Sequence, residues 1–262
     1  MANDPLPVVD CPAGTTVVGD LHLDVFDGPG PEDFARWLEG LDAPRLVILG
    51  DLFEFWAGRG QERAPEAARV VEALSRRVAA GTAIDVLHGN RDFLLGRDFR
   101  AATGAAVRPR GLVGRGPDGA RTLFLHGDEL CTDDRGYQRF RTVVRSGVVR
   151  LALQRGTPFA LRRGLARRLR RGSRASIARK RPEEMAQRLE AAREHAAAQD
   201  ARWIVCGHAH RFRDEDLGGG RRWLVIDGWG DERDALKLGD DGRWRPARAA
   251  GLAAAERTTE PD

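Results

Sequence analysis

The chain has 262 residues, of which 42% are hydrophobic and 31% are charged, a composition typical of a soluble globular protein. No apolar run approaches the ~18 residues that a membrane-spanning helix needs, which excludes an integral membrane protein. Three cysteines stand far apart, which excludes a disulfide framework and a zinc knuckle. Residues 1–5 form neither a basic nor an apolar segment, so we expect no secretory signal and a cytoplasmic location.

The net charge of +4 is unevenly distributed along the chain. Residues 135–182 contain 16 basic residues and no acidic one, which leaves the rest of the chain at −12. Such a block points to an anionic partner, which is nucleic acid, phospholipid headgroups or a phosphorylated substrate. Because the chain has 41 arginines and two lysines, a general arginine bias with a solvated helical face is the alternative.

Six short apolar segments predict buried strands. They cover, in chain order, residues 15–18, 46–49, 84–87, 123–125, 203–206 and 223–226. Helical patterns at 31–41 and 64–80 separate the first three segments, and strand–helix alternation of this kind indicates an α/β fold. A third helical pattern covers 183–198 and ends just before the fifth strand.

The long gap between the fourth and fifth strands contains the basic block. We interpret residues 135–195 as a helical, basic and apolar insertion within a single core domain. The core then comprises residues 1–134 and 196–262.

Ligand-type side chains follow five of the strands directly. They are, in chain order, Asp20, His22, Asp51, Asn90, His126, His208 and His210. Functional sites of α/β sheets lie beyond the carboxyl ends of the strands, so we expect these side chains to converge. The spacings of 31, 39 and 36 residues from Asp20 through Asp51 and Asn90 to His126 each match one β-α-β unit.

The donor set consists of two carboxylates, four imidazoles and one amide oxygen, which suits Mn²⁺, Fe²⁺ or Zn²⁺. Seven ligands are more than one ion takes, so we predict two ions ~3.5–4 Å apart with Asp51 between them. Such a pair generates hydroxide at neutral pH and holds a phosphoryl group for in-line attack. For each residue alone, a capping or core role is the alternative, but four of the six histidines follow this pattern.

The order of these motifs resembles that of the calcineurin-like metallophosphoesterase family. The matching motifs are Asp20-x-His22, Gly50-Asp51, Gly89-Asn90, His126-Gly127 and Gly207-His208-x-His210. The resemblance implies a four-layer αββα sandwich, in which two sheets pack face to face with helices outside. It implies one metal held by Asp20, His22, Asp51 and His210. It implies a second metal held by Asp51, Asn90, His126 and His208.

Three segments narrow the resemblance to one branch of the family. Residues 50–56, 88–96 and 126–137 resemble the UDP-2,3-diacylglucosamine hydrolases of lipid A synthesis. This implies a hydrolase that splits the pyrophosphate of UDP-2,3-diacylglucosamine into 2,3-diacylglucosamine 1-phosphate (lipid X) and UMP. It also implies two Mn²⁺ ions, with Fe²⁺ and Zn²⁺ as alternatives, and a lid formed by the insertion over the acyl chains.

Arg91 stands where most members of the larger family have a histidine that assists the leaving group. Its guanidinium is a permanent cation whose fork suits phosphate oxygens, so we expect it to hold the second phosphate of a diphosphate. A metal-bridging water held by Asp51 would then attack phosphorus. No nucleophile from the protein is required.

Further substrate contacts are implied by the resemblance alone. The matching residues are Asn90, Arg91, Asp134, Tyr137, Ser173, Lys180 and His208. Ile177 and residues 181–186 depart from the pattern of the branch, so the acyl-chain length and the sugar contacts are not predicted.

The insertion alternates arginines with apolar residues. Basic amphipathic helices lie on anionic membranes, so we expect peripheral binding to the cytoplasmic face of the bacterial inner membrane. Packing of these apolar residues onto the core is the alternative. A nuclease, another nucleoside-diphosphate-lipid hydrolase and a non-catalytic scaffold are the alternative functions. We expect a UDP-linked glycolipid as substrate and neither nucleic acid nor a protein as partner.

Overall fold

The computed structural model describes residues 5–24, 30–155, 157, 161–162, 164, 181 and 183–252. The strands are, in chain order, β1 (Val8–Asp10), β2 (Thr16–Val18), β3 (Arg45–Ile48), β4 (Ala83–Leu87), β5 (Ala106–Arg108), β6 (Leu112–Arg115), β7 (Arg121–Phe124), β8 (Trp203–Cys206), β9 (Arg213–Gly218), β10 (Arg221–Val225), β11 (Ala235–Leu238) and β12 (Trp244–Ala247). The helices are α1 (Gly30–Gly40), α2 (Pro65–Ala79), α3 (Arg97–Thr103), α4 (Arg135–Val144), α5 (Gly147–Arg155) and α6 (Leu189–Ala198).

The strands form two six-stranded sheets. The first sheet has the order β1-β6-β7-β8-β10-β9, and the second has the order β12-β11-β2-β3-β4-β5. Strands β2 to β5 run parallel to one another, as do β7, β8 and β10. The carboxyl ends of β2, β3 and β4 therefore lie at one edge of the second sheet, and those of β7 and β8 at one edge of the first.

Each central strand is apolar on both faces because it separates two cores. In β3, Leu46 and Ile48 pack with helices α1 and α2, whereas Val47 packs against the other sheet. In β8, Val205 faces the second sheet and Ile204 packs against α6. Side chains alternate in this way because successive residues of a strand point to opposite faces. The two sheets thus pack face to face with helices outside, which confirms the predicted fold class.

All six predicted strands are present, as β2, β3, β4, β7, β8 and β10, and the first two predicted helices are α1 and α2. The third helical prediction is wrong over 183–188, since α6 begins only at Leu189. The backbone N–H of Arg188 donates to the carbonyl of Leu130 at 2.9 Å, and Arg188 has extended dihedral angles. The side chain of Gln187 binds the carbonyls of Gly127 and Gly207, so these tertiary hydrogen bonds hold the segment outside the helix.

The predicted insertion begins with α4 and α5, and α4 starts directly after the last residue of the predicted core segment 1–134. Helix α6 packs on the first sheet through Ala191, Ala192 and Ala196, which are buried among β7 and β8. The boundaries of the insertion stay a prediction. Within the described ranges, no helix has the length and apolar character required to cross a bilayer.

Candidate active site

The loops after the strands have an unusual backbone conformation. Residues Asp20, His22, Asp51, His208 and His210 have φ values of 51°, 49°, 49°, 70° and 49°. Residues other than glycine seldom adopt this left-handed region, and such strain concentrates at functional sites. Five ligand candidates therefore lie on strained backbone, directly after three strands from two different sheets.

Hydrogen bonds between the two sheets bring these loops together. The backbone N–H of His208 donates to Oδ2 of Asp20 at 2.6 Å, which joins the end of β8 to the end of β2. The ring nitrogen Nδ1 of His126 lies 3.1 Å from the carbonyl of Leu49, which joins the end of β7 to the end of β3. Neither sheet alone provides all seven side chains.

One cluster lies at the ends of β2 and β8. Nε2 of His22 and Nε2 of His210 are 3.1 Å apart, and Nε2 of His210 is 3.6 Å from Oδ1 of Asp20. Asp51 approaches from the adjacent loop, with Oδ2 3.8 Å from Nδ1 of His22. Ligand atoms of Asp20, His22 and His210 lie within 4.8 Å of one another, as is required of groups that share one ion.

A second cluster adjoins it through Asp51. Oδ2 of Asp51 is 3.8 Å from Nε2 of His126, which is 3.0 Å from Oδ1 of Asn90. Nδ1 of His208 is 3.2 Å from both Nε2 of His126 and Oδ1 of Asn90. Asp51 is 1% exposed and lies between the two clusters, where a ligand shared by two ions would lie.

An orphaned polar atom of the first cluster fits a divalent cation. Oδ1 of Asp20 is buried and lacks a hydrogen-bond partner among the described residues. Burial of such an atom is costly unless it gains a partner. Because Nδ1 of His126 donates to the carbonyl of Leu49, its Nε2 keeps a lone pair for an ion. The donor set, which is nitrogen and oxygen without sulfur, suits Mn²⁺, Fe²⁺ or Zn²⁺.

The protonation of these groups also favours cation binding. Burial lowers the pKa of His22 to about 3 and that of His126 to about 4, so both rings are neutral at neutral pH. Burial raises the pKa of Asp20, but the contact with His210 and other imidazoles outweigh it and lower the value to about 2. Burial and two neighbouring carboxylates raise the pKa of Asp51 well above its ordinary value. A cation would offset this crowding of negative charge.

Two glycines of the motifs allow the loops to come this close. A Cβ atom on Gly89 would overlap Oδ1 of Asp51, and one on Gly207 would overlap Oδ2 of Asp20. These two positions therefore require glycine, because any side chain would occupy the space of a ligand carboxylate.

Arg91 lies at the mouth of the site, with 32% of its side chain exposed. Its backbone N–H donates to Oδ1 of Asp51 at 2.9 Å, and its Nε lies 3.5 Å from Oδ2 of the same residue. Its Nη1 donates to Oε1 of Glu54 at 2.5 Å. The guanidinium is thus held beside the clusters while part of it remains accessible.

Three buried carboxylates beside the site were not predicted from the sequence. Asp92 accepts the N–H groups of Leu52 and Gly89, each at 2.8 Å, and so ties together the loops that carry Asp51 and Asn90. Glu54 and Asp128 are the other two. The available signal is their spacing, since each lies two or three residues after a ligand candidate.

Asp128 joins helix α4 to the site. Its Oδ2 accepts the hydroxyl of Tyr137 at 2.5 Å, Nε of Arg141 at 2.9 Å and Nη2 of Arg145 at 2.9 Å. Nη2 of Arg145 also donates to the carbonyl of Gly89 at 3.0 Å. Burial raises the pKa of Asp128, but the two arginines outweigh it and hold the value well below the ordinary range.

The predicted substrate contacts of the insertion are placed only in part. Tyr137 binds Asp128, and Oδ1 of Asp134 accepts the N–H of Tyr137 at 3.0 Å as the N-cap of α4. Ser173 and Lys180, with Ile177, lie outside the described residues. The roles of all four predicted contacts stay predictions.

The family model of the calcineurin-like phosphoesterases matches residues 15–212. The chain belongs to this family. The match covers all seven ligand candidates and strands β2 to β8, which include members of both sheets.

Individual relatives point to one branch of the family. The chain is 34% identical over 237 residues to a UDP-2,3-diacylglucosamine hydrolase of Klebsiella pneumoniae subsp. pneumoniae, covering 87% of this chain and 95% of the relative. It is 36% identical over 220 residues to a protein of that name from Ralstonia nicotianae, covering 80% and 82%. Among solved structures, Vps29 of Entamoeba histolytica, complexed with zinc, aligns with a TM-score of 0.40 and 12% identity over 88% of this chain and 95% of that one.

Proposed function

We propose that this protein hydrolyses the pyrophosphate bond of UDP-2,3-diacylglucosamine to 2,3-diacylglucosamine 1-phosphate and UMP, a step of lipid A synthesis. The convergence of seven ligand-type side chains from both sheets on one site carries the proposal. The relatives named UDP-2,3-diacylglucosamine hydrolase align with this chain over most of their length, which supports the choice of substrate. Arg91, in place of the usual histidine, supports a diphosphate over a monoester.

The proposed cofactors are two Mn²⁺ ions, with Fe²⁺ and Zn²⁺ as alternatives. Asp20, His22, Asp51 and His210 would hold the first ion. Asp51, Asn90, His126 and His208 would hold the second. Two such ions act as Lewis acids on phosphoryl oxygens and activate water near neutral pH.

The residues of the chain itself position the substrate. Arg91 holds the phosphate distal to the attacked phosphorus, since its guanidinium is fixed at Glu54 and partly exposed. Asn90 and His208 lie at the second cluster, where they contact the phosphate being attacked. Asp134, Tyr137, Ser173 and Lys180 are proposed to contact the glycolipid. The hydrogen bond from the Tyr137 hydroxyl to Asp128 supports this role for Tyr137, because Asp128 follows the ligand candidate His126 by two residues.

The exposed surface of α4 and α5 supports peripheral binding to the cytoplasmic face of the inner membrane. Phe140, Val143 and Val148 are 45%, 59% and 79% exposed, next to the exposed arginines Arg135 and Arg139. Apolar side chains among cations suit an anionic bilayer. The test is flotation with phosphatidylglycerol vesicles at low salt.

Val148→Asp is expected to weaken this vesicle binding, whereas Val8→Asp is its control. Val8 is a 48% exposed residue of β1, so the same charge is introduced away from the insertion. Wild-type protein that remains with the unbound fraction would contradict membrane association.

The deciding experiment for the activity identifies the products by mass spectrometry. Purified protein with Mn²⁺ is offered UDP-2,3-diacylglucosamine, single-stranded DNA and bis(p-nitrophenyl) phosphate in parallel. UMP and the sugar 1-phosphate are expected, with little turnover of the other two compounds. Preferred cleavage of DNA would instead favour a nuclease, and no turnover of any compound would favour a scaffold.

Asp51→Ala is the matched variant for this assay, with Asp133→Ala as the exposed control. Loss of a ligand common to both ions is expected to lower kcat by ~1000-fold or more, since ions supply several kcal/mol of transition-state stabilisation. Wild-type turnover by Asp51→Ala would refute the two-ion assignment.

A further inference from the structure

Glu54 occupies a buried position between two functional side chains. Strand-like pairing continues past the ends of β2 and β3, because His22 N–H donates to the carbonyl of Asp51 at 2.9 Å and Leu23 N–H to that of Leu52 at 3.0 Å. Glu54 N–H then donates to the carbonyl of Leu23 at 3.0 Å. This pairing fixes Glu54, which is 6% exposed, next to the loop that carries His22.

The two oxygens of Glu54 contact different partners. Oε1 accepts Nη1 of Arg91 at 2.5 Å. Oε2 lies 3.3 Å from Nδ1 of His22, a contact that lacks the alignment of a hydrogen bond and leaves Nδ1 without another partner among the described residues. The backbone N–H of Trp56 donates to the carbonyl of Arg91 at 3.1 Å, which keeps the segment after β3 against the segment after β4. One buried carboxylate thus touches both a candidate metal ligand and the candidate phosphate-holding cation.

The orientation of His22 gives this contact its chemical meaning. Its Nε2 faces Nε2 of His210 at 3.1 Å, so Nε2 is the nitrogen directed at the first cluster. Metal-binding imidazoles donate their other N–H to a carboxylate or carbonyl, which fixes the tautomer. His126 follows this rule at the carbonyl of Leu49. For Nδ1 of His22, Glu54 is the nearer of two carboxylates, since Asp51 lies at 3.8 Å.

We propose that Glu54 is a positioning residue that accepts the Nδ1 proton of His22 with one oxygen and holds Arg91 with the other. It thereby joins the first metal-ligand set to the cation that holds the substrate phosphate. This inference rests on the proposed function, because it concerns the same site.

Glu54→Gln keeps the volume of the side chain nearly constant but cannot maintain its contacts with both Arg91 and His22. A glutamine offers one acceptor oxygen and one donor NH₂ group. If the oxygen faces Arg91, the NH₂ group faces Nδ1 of His22 and favours the tautomer whose Nε2 carries the proton. If the oxygen faces His22, the NH₂ group meets the guanidinium, and two donors oppose each other. Either orientation loses one contact.

The experiment compares Zn²⁺ dissociation constants by chelator competition and, separately, KM and kcat for UDP-2,3-diacylglucosamine. Glu54→Gln is expected to weaken one Zn²⁺ site by ~10–100-fold if its amide oxygen faces Arg91, or to raise KM if that oxygen faces His22. Arg91→Ala is expected to raise KM without changing Zn²⁺ binding. Glu39→Gln is the control, because Glu39 is an exposed glutamate of α1 paired with Arg76 at 2.7 Å. Wild-type Zn²⁺ affinity and KM in folded Glu54→Gln would overturn the proposal.

A measurement on the wild-type protein does not depend on folding of the variant. Nitrogen-15 NMR of the histidine-labelled, Zn²⁺-loaded protein is expected to show a proton on Nδ1 of His22. The His22→Gln spectrum assigns the signal. A proton on Nε2, or none on Nδ1, would overturn the proposal. If the wild-type protein binds no Zn²⁺, the proposed function itself is refuted. If the wild-type protein binds Zn²⁺ and turns over the substrate, but Glu54→Gln has the same Zn²⁺ affinity and KM, only this inference is refuted.

Discussion

Asp128→Asn removes the buried charge that connects helix α4 to the candidate site. Asp128 is fully buried, and its Oδ2 accepts hydrogen bonds from Tyr137, Arg141 and Arg145. Asparagine keeps the size of the side chain but removes the counter-ion of Arg145, whereas Arg141 keeps its contact with Glu129 at 3.2 Å. The variant therefore isolates the charge.

The expected loss follows from the burial of the partners. Removal of one partner from a buried ion pair costs about 3–5 kcal/mol, because the remaining charge is left uncompensated. The side chains of Arg141 and Arg145 are 21% and 14% exposed, so some water reaches them. We therefore expect the low end of the range, a decrease of about 3 kcal/mol in the free energy of unfolding.

The assay is urea unfolding followed by circular dichroism, with Asp133→Asn as control. Asp133 pairs with Arg188 at the surface, where the side chains are 50% and 42% exposed, and such pairs contribute about 0–1 kcal/mol. Trypsin cleavage within α4 is expected to be faster in Asp128→Asn alone. Equal stabilities of the two variants, within 1 kcal/mol, would refute the role given to the buried cluster.

Three further predictions concern the site and the core. Arg91→Ala is expected to raise KM and lower kcat in steady-state assays, with two ions still present by elemental analysis, and wild-type kinetics would contradict a phosphate-holding role. Gly89→Ala places a methyl group against Asp51 and is expected to lower metal content, whereas Gly147→Ala, which meets no atom within 4 Å, is expected to leave it unchanged. Burial raises the pKa of each of the three cysteines to about 12, so Ellman's reagent at pH 8 is expected to modify all three only in guanidinium, and a fast-reacting thiol in the folded protein would contradict this.

The central strands could be predicted from the sequence because each is buried on both faces and is therefore continuously apolar. Six other strands could not. Strand β9 exposes four of its six residues and pairs with β10 alone within its sheet, and β12 contains Pro246 at the edge of the second sheet. Edge strands of this kind form because a neighbour offers hydrogen bonds, which no local pattern encodes.

The site could be predicted only as a set of side-chain types at strand ends. Glu54, Asp92 and Asp128 are ordinary acidic residues in the sequence, and their importance arises from burial that the tertiary fold creates. A carboxylate without water must find donors, and those donors come from loops distant in the chain. The spacing from a neighbouring ligand indicates such residues but cannot identify their partners.

The strained backbone explains why the site lies where two sheets meet. Left-handed conformations cost roughly 1 kcal/mol or more for each residue that is not glycine, and five ligand candidates adopt them. An isolated loop would relax. Here Asp20 is held by the N–H of His208, and His126 by the carbonyl of Leu49, each from the opposite sheet. Because these contacts need both sheets in register, burial of the core between the sheets also holds the ligand geometry in place.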